Sequence, residues 1–230
     1  MSEVLASGKG GLGALGHAYF RLRYTILFYS LLLTMVAAPA SGALGLRVGL
    51  IEIFLAANLI AAIIPIGNRK ERRLLLVVLL VIAVIMRLGA GWINEAALSA
   101  VSLMIWTMLA LLAAASALRF AFRAQSIDRE HVYAALSAYL LAGIFFGVSY
   151  WVLEQIWPGS FTVAGAFSPN SAIYFSFVTL ATLGYGDIVP RTDVARGLAT
   201  VEGVGGQLFL AVFIARLVSL YARESPERRV

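Results

Sequence analysis

The run Thr182-Leu183-Gly184-Tyr185-Gly186-Asp187 stands between two long apolar segments near the C-terminal end of the chain. Lipid offers a peptide group no hydrogen-bond partner. Glycine-rich irregular backbone is therefore tolerated at membrane depth only where it is buried in protein or lines a water-filled path. Thr182 brings a hydroxyl and a carbonyl to such a path, and Leu183, Gly184 and Tyr185 bring carbonyls. Gly184 and Gly186 can take positive φ and so turn successive carbonyls the same way. The side chains of Leu183 and Tyr185 must then point backwards, where they can be packed. The chemistry on offer is replacement of a cation's hydration shell by a ring of carbonyl oxygens.

Such a loop has to be held. Ser168-Pro169-Asn170 reads as a helix start, with Ser168 as N-cap and Pro169 at the first helical position. The short helix from about Pro169 to Ala181 points its C-terminal carbonyls, the negative end of its dipole, at the place a cation would occupy. Around it lies a chain of 230 residues, 61% hydrophobic and 13% charged, a composition that belongs to an integral membrane protein. With no cysteine, a disulfide framework and thiolate metal sites are excluded. A span needs about 20 apolar residues. Segments at 24–40, 48–67, 74–91, 96–120, 133–156 and 197–221 qualify, which gives six transmembrane helices with a re-entrant pore helix and loop before the last. The expected fold is all-α.

Charge orients these spans. Lys9, Arg21 and Arg23 precede the first; Arg69, Lys70, Arg72 and Arg73 follow the second; Arg119, Arg123 and Arg129 follow the fourth; Arg223, Arg228 and Arg229 follow the sixth. The opposite face holds only Arg47, Arg87, Arg191 and Arg196. The richer face, with both termini, is expected to be cytoplasmic, and the net charge of +6 to encode orientation rather than nucleic-acid binding. The expected organisation is a cytoplasmic tail (1–22), a four-helix unit (23–122), a linker (123–131), a pore domain (132–222) and a short tail (223–230). No cleavable signal, internal repeat or cytosolic ligand-binding domain is expected.

Ala172-Ile173-Tyr174-Phe175-Ser176-Phe177-Val178-Thr179 before the run and Ile188-Val189-Pro190 after it resemble the pore helix and outer mouth of the potassium channel family. The resemblance covers residues 133–222 and implies a prokaryotic six-transmembrane, single-filter channel in the cell membrane. It implies passive potassium conduction, with K+ held at Thr182, Leu183, Gly184 and Tyr185. One chain supplies one side of the ring, so a homotetramer follows. Family filters often carry Val where Leu183 stands; only the carbonyl lines the path, so selectivity is expected to survive, with a weakly selective cation channel as the runner-up. By the same resemblance Tyr174 tethers Asp187, Phe175 supplies no second donor, and Val178 takes a position where some relatives carry a buried carboxylate. Glu154 resembles the outer-end glutamate that braces the pore loop, against the alternative of a simple interfacial charge. Gly206 matches the family's hinge glycine, so bending is expected at Gly205-Gly206. Leu210, Ile214 and Val218 would line the inner pore below it or, alternatively, pack on the fifth helix. The fourth span lacks the arginine array of voltage-gated relatives, since Ala96 to Leu118 contains no basic residue.

Other patterns compete. Gly184-Tyr185-Gly186-Asp187 is similar to the Gly-x-Gly-Asp signature of intramembrane aspartyl proteases. That chemistry needs paired carboxylates, and the other aspartates, Asp128 and Asp193, lie outside the spans. Gly8-Lys9-Gly10-Gly11-Leu12-Gly13 fits a dinucleotide pattern but follows no strand. Neither an enzyme nor a cofactor is expected. Glu202, in the outer half of the sixth span, is expected behind the filter or pore helix, or else in a generic buried contact. Glu52 is expected to pair within the four-helix unit. Gly143 and Gly147 form a Gly-x-x-x-Gly face suited to close packing on the sixth helix. His17 and His131 are expected as solvated interfacial groups, and Arg216 as a residue that snorkels to the headgroups.

Overall fold

The computed structural model describes residues 22–43, 96–123 and 128–223, with positions 74, 76–79, 81, 82 and 85. Their elements, in chain order, are α1 (Arg23–Ala43), α2 (Ala96–Arg123), α3 (Arg129–Ile156), β1 (Phe161–Val163), α4 (Pro169–Leu180), β2 (Ile188–Pro190) and α5 (Asp193–Arg223). Among the described residues three stretches are long and apolar enough to cross a membrane: Ile105–Arg123, Arg129–Ile156 and Asp193–Leu220. Arg23–Ala37 forms a shorter apolar helix. The expected second span, most of the third, both tails, Glu52, His17 and the Gly8–Gly13 pattern lie outside the described residues.

One core runs through the helices. Leu27 and Leu31 of α1, Leu109, Ala113 and Ala117 of α2, and Ala134, Leu141 and Ile144 of α3 are buried together. Alanine dominates the facing surfaces of α2 and α3, and small side chains let helix backbones approach closely. Polar contacts fasten the end where α1 and α3 begin. The Glu130 carboxylate accepts from the Tyr24 amide at 2.9 Å, from the Thr25 amide at 3.3 Å and from the Thr25 hydroxyl. A side chain of α3 thus satisfies amides that the first turn of α1 leaves unpaired. Asp128 caps α3 itself, accepting from the His131 amide at 3.0 Å and lying 2.6 Å from His131 Nδ1. Desolvation opposes its ionisation, but the His131 amide and ring outweigh it and hold the carboxyl below its usual range.

Two sequence expectations differ here. The fold is not purely helical: β1 and β2 pair antiparallel, with Phe161 opposite Pro190 and Val163 opposite Ile188. Such three-residue strands carry too little alternation to be read from sequence. They pair only because α4 and the loop after it bring their ends together. In addition, α3 starts at Arg129, so the last residues of the expected 123–131 linker are helical.

Candidate functional site

The loop after α4 is built from the helix outward. Ser168 caps α4 through a reciprocal pair: its hydroxyl accepts from the Ser171 amide at 3.1 Å, and the Ser171 hydroxyl accepts from the Ser168 amide at 3.0 Å. Pro169 occupies the first turn, where its missing N–H costs nothing. At the other end the Val178 carbonyl accepts from the amides of Leu183, at 2.9 Å, and Gly184, at 3.4 Å. In a trans peptide the carbonyl points opposite to the N–H of the same unit. Anchoring those two amides to the helix therefore aims the Thr182 and Leu183 carbonyls away from it, into open space.

Backbone conformation extends the pattern. Positive φ occurs at Thr182 (57°), Gly184 (56°) and Gly186 (77°), with Leu183 and Tyr185 at negative φ between them. Alternation of this kind turns successive carbonyls to one side. The two glycines are legible in the sequence. Thr182 is not, because a β-branched residue rarely takes positive φ and nothing local announces it.

Leu183 and Tyr185 differ from expectation. Their side chains are uncovered, at 55% and 66% exposure, so the chain itself supplies no packing behind the loop. Residues 181–187 are exposed throughout. Asp187 lies within electrostatic reach of Tyr174, but no direct hydrogen bond joins the two side chains, so the expected tether is not made within this chain. Phe175 points elsewhere, into a buried aromatic group with Tyr150, at 5.0 Å between ring centroids, and Phe161, at 5.4 Å.

Carboxylates and glycines seat this assembly. Glu154 accepts from the Gly159 amide at 2.8 Å and the Phe161 amide at 3.2 Å, clamping the turn between α3 and β1. Glu202 is fully buried where α3, α4 and α5 meet: the Tyr150 hydroxyl lies 2.5 Å from Oε2, and the Ser176 hydroxyl meets Oε1. Ser176 also lies 2.7 Å from the Gly143 carbonyl. Sequence reasoning missed Ser176, Tyr150 and Tyr139, whose hydroxyl donates to the Leu180 carbonyl at 3.1 Å. Such residues are unremarkable in an apolar helix, and only the fold aims them at one another.

The Gly143/Gly147 face packs on α4 rather than on the sixth helix. A Cβ at Gly143 would come within 2.5 Å of the Phe177 ring, and one at Gly147 within 2.7 Å of the Ile173 Cα. Gly206 of α5 also abuts α4: a Cβ there would lie 2.7 Å from Leu180 Cδ1 and 3.0 Å from the Leu180 carbonyl, whereas Gly205 faces open space. α5 runs unbroken through both glycines. Below them Ile214 and Val218 are exposed and Leu210 is half-buried. His131 is not simply solvated: it stacks on Phe120 at 4.5 Å besides meeting Asp128. Arg216 sets its guanidinium over the Phe122 ring at 5.5 Å, tying the end of α2 to the C-terminal half of α5.

Residues 135–223 match the family model described as ion channel. Over 89 residues the chain is 35% identical to the inward rectifier potassium channel Kirbac3.1 of Paramagnetospirillum magnetotacticum, covering 37% of this chain and 28% of that one. Over 91 residues it is 38% identical to the two pore potassium channel c of Oryza sativa subsp. japonica, covering 39% of this chain and 18% of that one. Over 48 residues it is 48% identical to the two-pore potassium channel 4 of Arabidopsis thaliana, covering 21% and 17%. The chain thus spans less than a third of the length of each of these relatives. No solved structure matches at comparable significance. These matches are to ion channels, which are not enzymes, and the protease alternative falls with them.

Proposed function

We propose that this chain, whose residues 135–223 belong to the ion channel family, assembles as a homotetramer that passes potassium through a ring formed by Thr182, Leu183, Gly184 and Tyr185. One observation carries the reading: two amides of the loop are tied back to the Val178 carbonyl, so the carbonyls of their peptide units are presented outward as cation ligands. Positive φ at alternate positions continues that presentation. A single subunit offers one side of a ring and leaves Leu183 and Tyr185 uncovered, and three further copies would supply both the other sides and the cover.

In this reading Tyr174 and Glu154 hold the outer end of the filter, Phe175 and Val178 seat its pore helix, and Glu202 braces it from behind. Gly205-Gly206 form the hinge, and Leu210, Ile214 and Val218 the inner lining. The basic face, with both termini, is cytoplasmic, the protein resides in the cell membrane, and six spans divide into a four-helix unit and a pore domain. Potassium flux into liposomes carrying the purified protein tests conduction, and reversal potentials in mixed potassium and sodium test selectivity. A reversal potential that ignores the potassium gradient would leave a weakly selective cation channel.

A further inference from the structure

Among the described residues Glu202 is the acidic or basic side chain that is fully buried, at 0% exposure, and its own subunit alone covers it. Among the described residues no cation compensates it. α3 presents Tyr150, with Tyr139 nearby on the Leu180 carbonyl; α4 presents Ser176; α5 itself adds no charged neighbour. His131 pairs with Asp128 and Arg196 with Asp193, and no basic side chain pairs with Glu202 among the described residues. An unpaired ionised carboxylate in such a place is costly.

Counting hydrogens sharpens the point. Three close polar contacts meet here: Tyr150 hydroxyl to Glu202 Oε2, Ser176 hydroxyl to Glu202 Oε1, and Ser176 hydroxyl to the Gly143 carbonyl. Each hydrogen bond needs its own hydrogen. A carbonyl and an ionised carboxylate bring none, and each hydroxyl brings one. With Glu202 ionised, two hydrogens must serve three contacts. The single Ser176 hydrogen would then leave oxygen lone pairs facing each other, either at Gly143 or at Glu202, in a site of low dielectric. A proton on Glu202 removes the deficit. Glu202 then donates to Ser176, Ser176 donates to the Gly143 carbonyl, and Tyr150 donates to the second carboxyl oxygen.

We propose that Glu202 is held as a neutral carboxylic acid, and that its proton closes a hydrogen-bonded latch fastening α4, and with it the filter, to α3 and α5. Alkaline removal of that proton leaves one contact of the latch repulsive, frees α4 and stops conduction. The conduction half rests on the potassium channel reading; the protonation does not. Glu202→Gln keeps a donor for Ser176 and an acceptor for Tyr150 but cannot lose a proton.

Infrared difference spectroscopy on the full chain in potassium-loaded liposomes tests the assignment. At neutral pH the wild type should show a protonated-carboxyl stretch that is absent from Glu202→Gln, displaced in Ser176→Ala, and lost on alkaline titration. Wild-type potassium flux should fall over the pH range in which that band disappears, and flux through Glu202→Gln should not. A wild-type spectrum without the band overturns the proposal. A band that titrates while flux holds steady overturns the latch. A band present in a protein that passes no potassium at any pH upholds the protonation and sinks the conduction reading instead. If Glu202→Gln fails to assemble, Ser176→Ala decides: a displaced band supports the contact, and an undisplaced one refutes it.

Discussion

In the proposed assembly the Tyr174 hydroxyl would tether Asp187, and Phe175 beside it, turned into the Tyr150 and Phe161 rings, offers no substitute donor. Tyr174→Phe should therefore hasten the decay of current during sustained opening while leaving the assembly intact, as macroscopic currents and size-exclusion profiles of the same preparation would show. Glu154 acts elsewhere, at the turn between α3 and β1, where its carboxylate accepts from the Gly159 and Phe161 amides. Hydrogen bonds to a charged group are worth about 1.5–3 kcal/mol each, with partial exposure pulling the value down. Glu154→Ala should accordingly lower the melting temperature of the assembled protein, and Glu154→Gln, which keeps one acceptor oxygen, should lower it less. Equal melting for both variants and wild type would remove Glu154 from the clamp.

The short helix α4 is held by glycines on both sides, which sets an order of severity among substitutions. At Gly147 an added methyl would strike the backbone of Ile173, which cannot yield without moving α4; at Gly143 it would meet the Phe177 ring, which can turn. Overpacking of a tight core typically costs about 1–3 kcal/mol. Gly147→Ala should destabilise more than Gly143→Ala in thermal unfolding, and the reverse order would place α4 elsewhere. The pair in α5 separates bending from packing. Gly205 faces open space and Gly206 abuts Leu180, while replacing either removes a weak point of the helix. Gly205→Ala should lower open probability at unchanged melting temperature, whereas Gly206→Ala should lower both. If Gly205→Ala leaves gating untouched, the hinge at this pair is lost.

At the scale of the whole molecule, apolar surface on α5 faces away from the subunit's own core, with Val201, Val204, Leu208, Val212, Ile214 and Val218 all exposed. In the proposed assembly this surface, with Leu183 and Tyr185, would be covered by further copies of the chain and by lipid. Four Val218 side chains at the inner end would form an apolar constriction able to close by dewetting. Val218→Ser should raise open probability in bilayer recordings, and cysteines at 214 and 218 should react with cytosolic thiol reagents while the channel conducts. Voltage should matter little. α2 has no basic residue before Arg119, and each charge crossing the field is worth about 2.3 kcal/mol per 100 mV. A steep conductance–voltage relation would contradict this directly.

The candidate filter came from the family resemblance of Thr182–Asp187 and its flanks, while composition and spacing carried the membrane class, the helix start at Ser168-Pro169 and the positive φ at Gly184 and Gly186. These are local properties, set by hydropathy, by capping chemistry and by the freedom of a residue without a side chain. Glu154 and Glu202 stood out for a similar reason, since a carboxylate in an apolar stretch demands an explanation. What they touch was decided by tertiary structure. Tyr150, Ser176 and Gly143 reach Glu202 because α3, α4 and α5 cross at one point, and nothing in their own sequence context fixes that crossing. The Gly143/Gly147 face could have met any neighbouring helix, and it is the short helix α4 that fills it. The β1–β2 ribbon likewise exists only because α4 and the loop after it bring residues far apart in sequence together.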